Sequence, residues 1–284
     1  MIVVTGASGK LGHHVVAELV KKVPADQVVA AVRSVEKAAT LKALGVEVRE
    51  TDYNKPETLA KAFAGAEKVL LISSNDLENR IPQQRAVVDA AKAAGVQLIA
   101  YTSILRADTS KLGLAKDHKA TEEYIKASGI PYVFLRNGWY FENRTEALGP
   151  ALEHGVILGA AGEGRFAAAS RADYAGAAAV ALTKDGQENK IYELGGDAPY
   201  SMAELAAEVS KQSGKQVVYQ DLPEQKFAEA LAGFGLPKPV AELVADSEAG
   251  AAKGELDRAG NDLSTLLGRP TTTLSAAVAA ALKA

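Results

Sequence analysis

Short runs of aliphatic and β-branched residues alternate with helical patterns along the first half of the chain. Ile2 to Val4, Val28 to Val32, Val46 to Arg49, Val69 to Ile72, Leu98 to Thr102 and Tyr132 to Leu135 read as strands. The intervening segments 10–22, 34–44, 56–64, 79–94 and 116–128 read as helices. Gly45, Gly65, Gly95 and Gly129 stand where four of these helices should stop, the usual C-terminal use of glycine. The resulting βαβ rhythm predicts an α/β protein with a doubly wound parallel sheet.

Beyond about residue 138 the rhythm weakens. Lys190 to Leu194 reads as a strand, and the Ala-rich stretch Ala175 to Leu182 as a short buried helix. Ser201 to Gln212 reads as a helix, because Ser201 and Glu204 have the spacing of a capping box. Gly214 to Tyr219 supplies a further strand, and Phe227 to Phe234, Val240 to Val244 and Leu274 to Leu282 supply helices. The expected organisation is a sheet domain over residues 1–150 and a smaller C-terminal α/β lobe over 151–284, with a soft boundary and a chain free to cross back into the sheet.

Directly after the first strand stands Gly6-Ala7-Ser8-Gly9-Lys10-Leu11-Gly12, opening a helix. In that position Gly6 permits the tight strand-to-helix turn, Gly9 lets backbone approach a pyrophosphate, and Gly12 lets the helix pack close to the sheet. The helix N-terminus then faces the anion. This context makes the sheet Rossmann-type and the turn a dinucleotide site; a purely structural turn is the alternative. At the tip of the second strand, where an NAD site often carries Asp or Glu on the ribose, the residue is Arg33. A guanidinium grips a 2′-phosphate with paired hydrogen bonds, so NADP(H) is the expected cofactor; an exposed surface arginine is the plain alternative. Asp52 follows the third strand, placed either to accept from the adenine amino group or to cap a turn. Ser73 and Ser74 end the fourth strand and can line the cofactor crevice, or be loop serines.

Composition narrows the choice of function. The 284 residues are 48% hydrophobic and 24% charged with a net charge of −3, and Lys and Arg are scattered, so neither nucleic acid nor an anionic membrane is an expected partner. With no cysteine, disulfides, thiolate nucleophiles and sulfur-ligated metals are excluded, and a reducing cytoplasm is the default location. The N-terminus does not read as a secretion signal, and no run has the length of a membrane span. His13, His14, His118 and His154 lack metal-ligand spacing, and neither a GxSxG elbow nor a P-loop is present.

The glycine turn TGASGKLG, Arg33, LLISS at 70–74, IAYTS at 99–103 and LRNGWYFEN at 135–143 together resemble the NmrA-like branch of the atypical short-chain dehydrogenases. Within that branch they are similar to the bacterial type 2 NAD(P)H:quinone oxidoreductases and to the triphenylmethane reductases. The likeness extends over essentially the whole chain, through SRADYA at 170–175 and GRPTTTL at 268–274. It implies an NADPH-binding domain with a smaller lobe forming a cleft, and reduction of quinones by hydride transfer. Matched motif by motif, it implies that the turn from Gly6, Arg33, Ser73, Ser74, Asn75, the segment Asn137, Gly138, Trp139, Tyr140, Phe141 and Glu142, and Arg171 surround the cofactor. Asn143 falls where a polar residue lining the cleft is expected.

The Tyr-x-x-x-Lys pair of the wider dehydrogenase family is missing before the fifth helix, where the sequence reads Lys116-Asp117-His118-Lys119-Ala120-Thr121-Glu122. That omission also argues against a sugar-nucleotide epimerase. A quinone takes a hydride directly, so positioning and exclusion of water do most of the work. Asn143, Tyr140, His118 and Lys119 are the candidate donors to the developing product oxygen, in that order. Trp139, Tyr140 and Phe141 offer an aromatic wall, against the commoner reading as core packing, and an exposed helix position is the stronger reading of His118. The rival from another class is a non-catalytic NADP(H) sensor that reports the redox ratio to a protein partner. Oligomeric state is open, a homodimer being the assembly considered.

Overall fold

A computed structural model of the chain describes residues 1–258 and 260–283. The alternating pattern of the first half folds into β1 (Ile2–Val4), α1 (Lys10–Leu19), β2 (Val28–Val32), α2 (Ala39–Lys42), β3 (Glu47–Glu50), α3 (Pro56–Ala62), β4 (Lys68–Leu71), α4 (Arg80–Ala93), β5 (Leu98–Ile104), α5 (Ala115–Ser128) and β6 (Tyr132–Asn137). The continuously apolar strands are those buried on both faces, as in a parallel sheet covered by helices. Gly45, Gly65, Gly95 and Gly129 all take the left-handed backbone expected of helix stops. Of the segment expected as a helix at 34–44, only Ala39–Lys42 is helical. Ala38 and Leu41 are its only buried side chains, too few to stabilise a longer helix.

The remaining elements are α6 (Glu142–Thr145), α7 (Leu148–His154), β7 (Val156–Gly159), β8 (Arg165–Phe166), α8 (Arg171–Thr183), β9 (Lys190–Leu194), β10 (Tyr200–Ser201), α9 (Met202–Ser213), β11 (Val218–Asp221), α10 (Glu224–Gly233), α11 (Lys238–Ala251), α12 (Asp262–Leu267) and α13 (Leu274–Ala281). The capping box forms: Glu204 N–H donates to Ser201 Oγ at 3.2 Å and Ser201 N–H to Glu204 Oε2 at 2.7 Å. The short helix expected at Val240–Val244 lies in the N-terminal half of α11, whose extension is buried through Ala245, Ser247, Glu248, Gly250 and Ala251. Those small and polar residues carry no hydrophobic period, which is why the helix looked shorter.

Seven strands form one sheet in the order β3-β2-β1-β4-β5-β6-β9. Pairing is parallel, with Val3 opposite Val29 on one side and Val69 on the other, and Tyr101 opposite Phe134. On one face Val3, Leu59, Phe63, Val88, Ile99 and Phe134 belong to a single buried cluster. On the other, α1 packs along α8, whose run of Ala and Gly lets two helices approach closely. The order reverses at β1, where the chain runs outward to β2 and β3 and then returns to β4. Such a reversal opens a crevice beyond the carboxyl ends of the two strands.

The chain forms two compact units, and they do not divide at one point near residue 150. The first comprises Met1–Ala107, Asp117–Asn137 and Arg171–Glu193, and the second comprises Asp108–Lys116, Gly138–Ser170 and the chain from Leu194 onward. The return has a packing cause: α8 covers the sheet beside α1, and Asn189 N–H donates to Tyr132 C=O at 2.7 Å where β9 joins β6. In the second unit β7 pairs in parallel with β11 and β8 antiparallel with β10, while α10 packs on α11 and α13 on α9.

Candidate cofactor-binding site

The turn after β1 is tied down before it opens. Thr5 donates to Leu70 C=O from both N–H and Oγ1, at 3.0 and 2.9 Å, and Ala7 N–H donates to Ala31 C=O at 3.1 Å. Gly6 sits at φ +60°, a backbone conformation that costs other residues, and its carbonyl accepts from Gly9 N–H at 2.9 Å. α1 makes its first intrahelical bond from His13 N–H to Gly9 C=O at 3.0 Å. The N–H groups of Leu11 and Gly12 therefore precede the ladder and have no partner within the helix.

The three glycines answer to different constraints. A Cβ on Gly12 would lie 2.4 Å from Gly6 O and 2.7 Å from Ala7 Cα, so the helix is pressed against the turn itself. A Cβ on Gly9 would meet one atom within 4 Å, Gly6 O at 3.1 Å, and would otherwise project into open space. Helix N–H groups, a bare Gly9 and the absence of any carboxylate between Gly6 and Gly12 suit a diphosphate.

The turn forms one wall of a crevice of about 400 Å³ that also gathers Arg33, Asp52, Ser73, Ser74 and Asn75. Of the expected cofactor residues from Gly6 to Asn75, all are in its lining except Ala7, which is fully buried. Arg33 is exposed at the end of β2. Asp52 lines the crevice and also shapes its own turn, since Oδ1 accepts from Asn54 N–H at 3.0 Å. The serine loop is held from behind: Ser73 N–H donates to Thr102 Oγ1 at 2.9 Å, Gln84 Nε2 to Ser73 Oγ at 2.9 Å, and Arg80 Nε to Ser74 C=O at 2.7 Å.

Several lining residues escaped sequence reasoning, among them Tyr53, Asn54, Ile72, Asp76 and Gln83. Tyr53 Oη donates to Thr5 Oγ1 at 2.6 Å, and burial pushes the phenol up to about 12 although the Thr5 bond and the Arg33 charge pull it down. Its signal was adjacency to Asp52. Gln83 had none, because it comes from α4, with Nε2 donating to Asp76 Oδ2 at 2.8 Å.

The other expected residues lie outside this crevice lining. Asn137 ends β6 and is buried, Arg171 opens α8, and Gly138 to Asn143 belong to the second unit. There Phe141 is core, stacked on Tyr200 with centroids 5.5 Å apart, and Trp139 tilts against Phe166 at 6.2 Å. Tyr140 is half-buried and bridges to Ala169; Asn143 is exposed, its N–H donating to Tyr140 C=O at 3.1 Å. Lys119 is exposed on α5.

His118 is the clear correction. It is not an exposed helix residue: it is 4% exposed, with Nδ1 2.8 Å from Tyr101 Oη. Burial first, and the Arg80 charge second, push its pKa down to about 3, so it is a neutral interior group. The pattern of α5 hid this, because His118 stands between the charged Asp117 and Lys119.

Comparison with known proteins agrees with this geometry. The model of the NmrA-like family matches residues 1–273. Quinone oxidoreductase 2 of Escherichia coli (strain K12) is 54% identical over 98% of this chain and 97% of its own length. The crystal structure of an NADPH-dependent quinone oxidoreductase from Escherichia coli complexed with NADPH is 53% identical, with a TM-score of 0.96 over 99% of this chain and 100% of that one. That of Citrobacter sp. triphenylmethane reductase complexed with NADP(H) is 44% identical, with a TM-score of 0.95 over 99% and 100% of the two chains. This chain belongs to the NmrA-like family.

Proposed function

We propose that this protein is an NADPH-dependent oxidoreductase that reduces quinones by hydride transfer. The observation that carries the reading is the 54% identity, over 98% of the chain, to a quinone oxidoreductase. The glycine-turn crevice supports it independently, with Arg33 standing where a carboxylate would repel a 2′-phosphate.

On this reading the start of α1, with Ser8, Lys10 and the N–H groups of Leu11 and Gly12, holds the diphosphate. Arg33 grips the 2′-phosphate, Asp52 accepts from the adenine amino group, and Ser73, Ser74 and Asn75 line the middle of the cofactor. Asn137, Gly138 to Glu142 and Arg171 surround its reactive end. The bound cofactor supplies the hydride. Asn143 and Tyr140 donate hydrogen bonds to the oxygen that gains charge, a task for which the buried, neutral His118 is poorly placed. Lys119, exposed on α5, is the remaining donor to test. A cytoplasmic location and a homodimer complete the proposal.

The test is NADPH oxidation, followed by its near-ultraviolet absorbance, with a simple benzoquinone. Turnover that falls at least about tenfold in Asn143→Ala, without loss of NADPH affinity, is the expected result. Tight NADPH binding with no turnover by the unaltered protein would return the sensor reading to the front.

A further inference from the structure

The second unit holds a cavity of its own, about 620 Å³ in volume, between α6, α7 and α13. That size is ordinary for a site taking a small organic ligand. Phe141 and Glu142 form part of its wall, and both were assigned above to the reactive end of the cofactor. The remaining polar lining is Thr145, Glu146, Ser170 and Thr272, the last two with their hydroxyls 3.1 Å apart.

Apolar groups make most of the rest. Leu148 and Leu152 of α7 contribute, as do Ala276, Ala280 and Leu282 at the C-terminal helix. Ala276 and Ala280 are four residues apart, so they share one face of α13, and both are exposed. Gly149 of α7 also lines the cavity, and a Cβ added there would meet no heavy atom within 4 Å. Small residues on both walls leave apolar space unfilled, where closely packed side chains would be the stable arrangement.

Charge narrows the occupant. The described lining includes the carboxylates Glu142 and Glu146 and no Lys or Arg, which disfavours an anionic group. On the functional reading above the ring lies beside Phe141 and Glu142, which leaves this volume to whatever the ring carries. We propose that this cavity receives the apolar chain of the acceptor, and that the natural substrates are quinones bearing an alkyl or prenyl substituent. The inference rests on the reading of the protein as a quinone reductase.

The experiment compares two acceptors that differ only in the chain: 2,3-dimethoxy-5-methylbenzoquinone, and the same ring carrying a decyl group. Each buried methylene contributes about fourfold in affinity, so even partial burial of ten carbons exceeds a tenfold preference. In the unaltered protein kcat/KM is expected to be at least about tenfold higher for the decyl quinone. Ala280→Phe should remove most of that preference while leaving the chainless ring within about twofold. Gly149→Leu fills the cavity from the opposite wall and gives the same readout should the first variant fold poorly.

Equal kcat/KM for the two quinones, or a chain preference that survives both variants, overturns the proposal while the reductase reading stands. No turnover of either quinone by the unaltered protein overturns both.

Discussion

Arg136 and Glu122 form a closed, buried pair: Arg136 Nε donates to Glu122 Oε1 at 2.9 Å and Nη2 to Oε2 at 2.7 Å, with the side chains 4% and 3% exposed. Ser103 Oγ donates to the same Oε1 at 2.7 Å, and Arg136 Nη1 donates to Glu193 Oε1 at 2.9 Å. One guanidinium thus ties the carboxyl ends of β5, β6 and β9 to α5. It does so one residue before Asn137, where the segment assigned to the reactive end begins. Removing one partner of such a pair leaves a buried charge uncompensated. Arg136→Met is expected to cost about 3–5 kcal/mol of stability in urea unfolding, and Arg136→Met combined with Glu122→Leu distinctly less. A loss in the double variant equal to the sum of the losses in Arg136→Met and Glu122→Leu taken singly would show that the pair is not coupled.

The two glycines flanking Lys10 and Leu11 should fail differently. Gly12→Ala drives a methyl into the Gly6 carbonyl, so it should destabilise the fold by about 1–3 kcal/mol or more and lower the melting temperature. Gly9→Ala projects mostly into the crevice; it should melt close to the unaltered protein and bind NADPH at least about tenfold more weakly. Calorimetric titration paired with thermal melts separates the two, and the reverse pattern would mean that the glycine roles are misassigned.

Arg33→Ala tests the choice between the two dinucleotides. A charged hydrogen bond contributes about 1.5–3 kcal/mol, so NADPH should bind about ten- to a hundredfold more weakly and NADH far less so. Parallel losses for both cofactors would place Arg33 away from the 2′-phosphate.

His118 gives the stability a pH dependence with a definite sign. Its pKa is depressed in the folded protein, to about 3 from an ordinary 6.5, so the unfolded chain takes up a proton that the native state refuses. The contribution is complete above about pH 6.5 and is lost as the pH falls from there toward 3. The slope from this one group is at most about 1.4 kcal/mol per pH unit. Urea unfolding of His118→Gln across pH 4–7 should lack this component, and an unchanged slope would argue against a neutral, buried imidazole.

Much of the candidate crevice could be read from the chain because its parts are contiguous. Gly6 to Gly12 declare themselves by spacing after a strand, and Arg33, Asp52 and Ser73 each close one strand of the sheet. Tyr53 and Gln83 did not declare themselves. They reach the crevice only because the fold gathers the chain after β3 and the first turn of α4 around the turn after β1, and a tyrosine or glutamine in sequence looks the same wherever it ends up. The buried His118 was misread for a related reason: charged neighbours suggested an outer face, whereas Tyr101 on β5 and the Arg80 charge set its environment.

By itself the sequence determined whatever depends on a residue and its near neighbours: strand and helix periods, the left-handed glycines, the Ser201 capping box and the tight glycine turn after β1. Backbone conformation and hydrophobic spacing act over a few residues and leave local marks. Only the tertiary structure decided that the chain returns through α8 and β9 to the sheet, that Gly12 is pressed against Gly6, and that alanines on α13 face leucines on α7 across a cavity. Those outcomes are set by which distant surfaces bury one another, and burial between remote segments has no signature in the order of residues along either one.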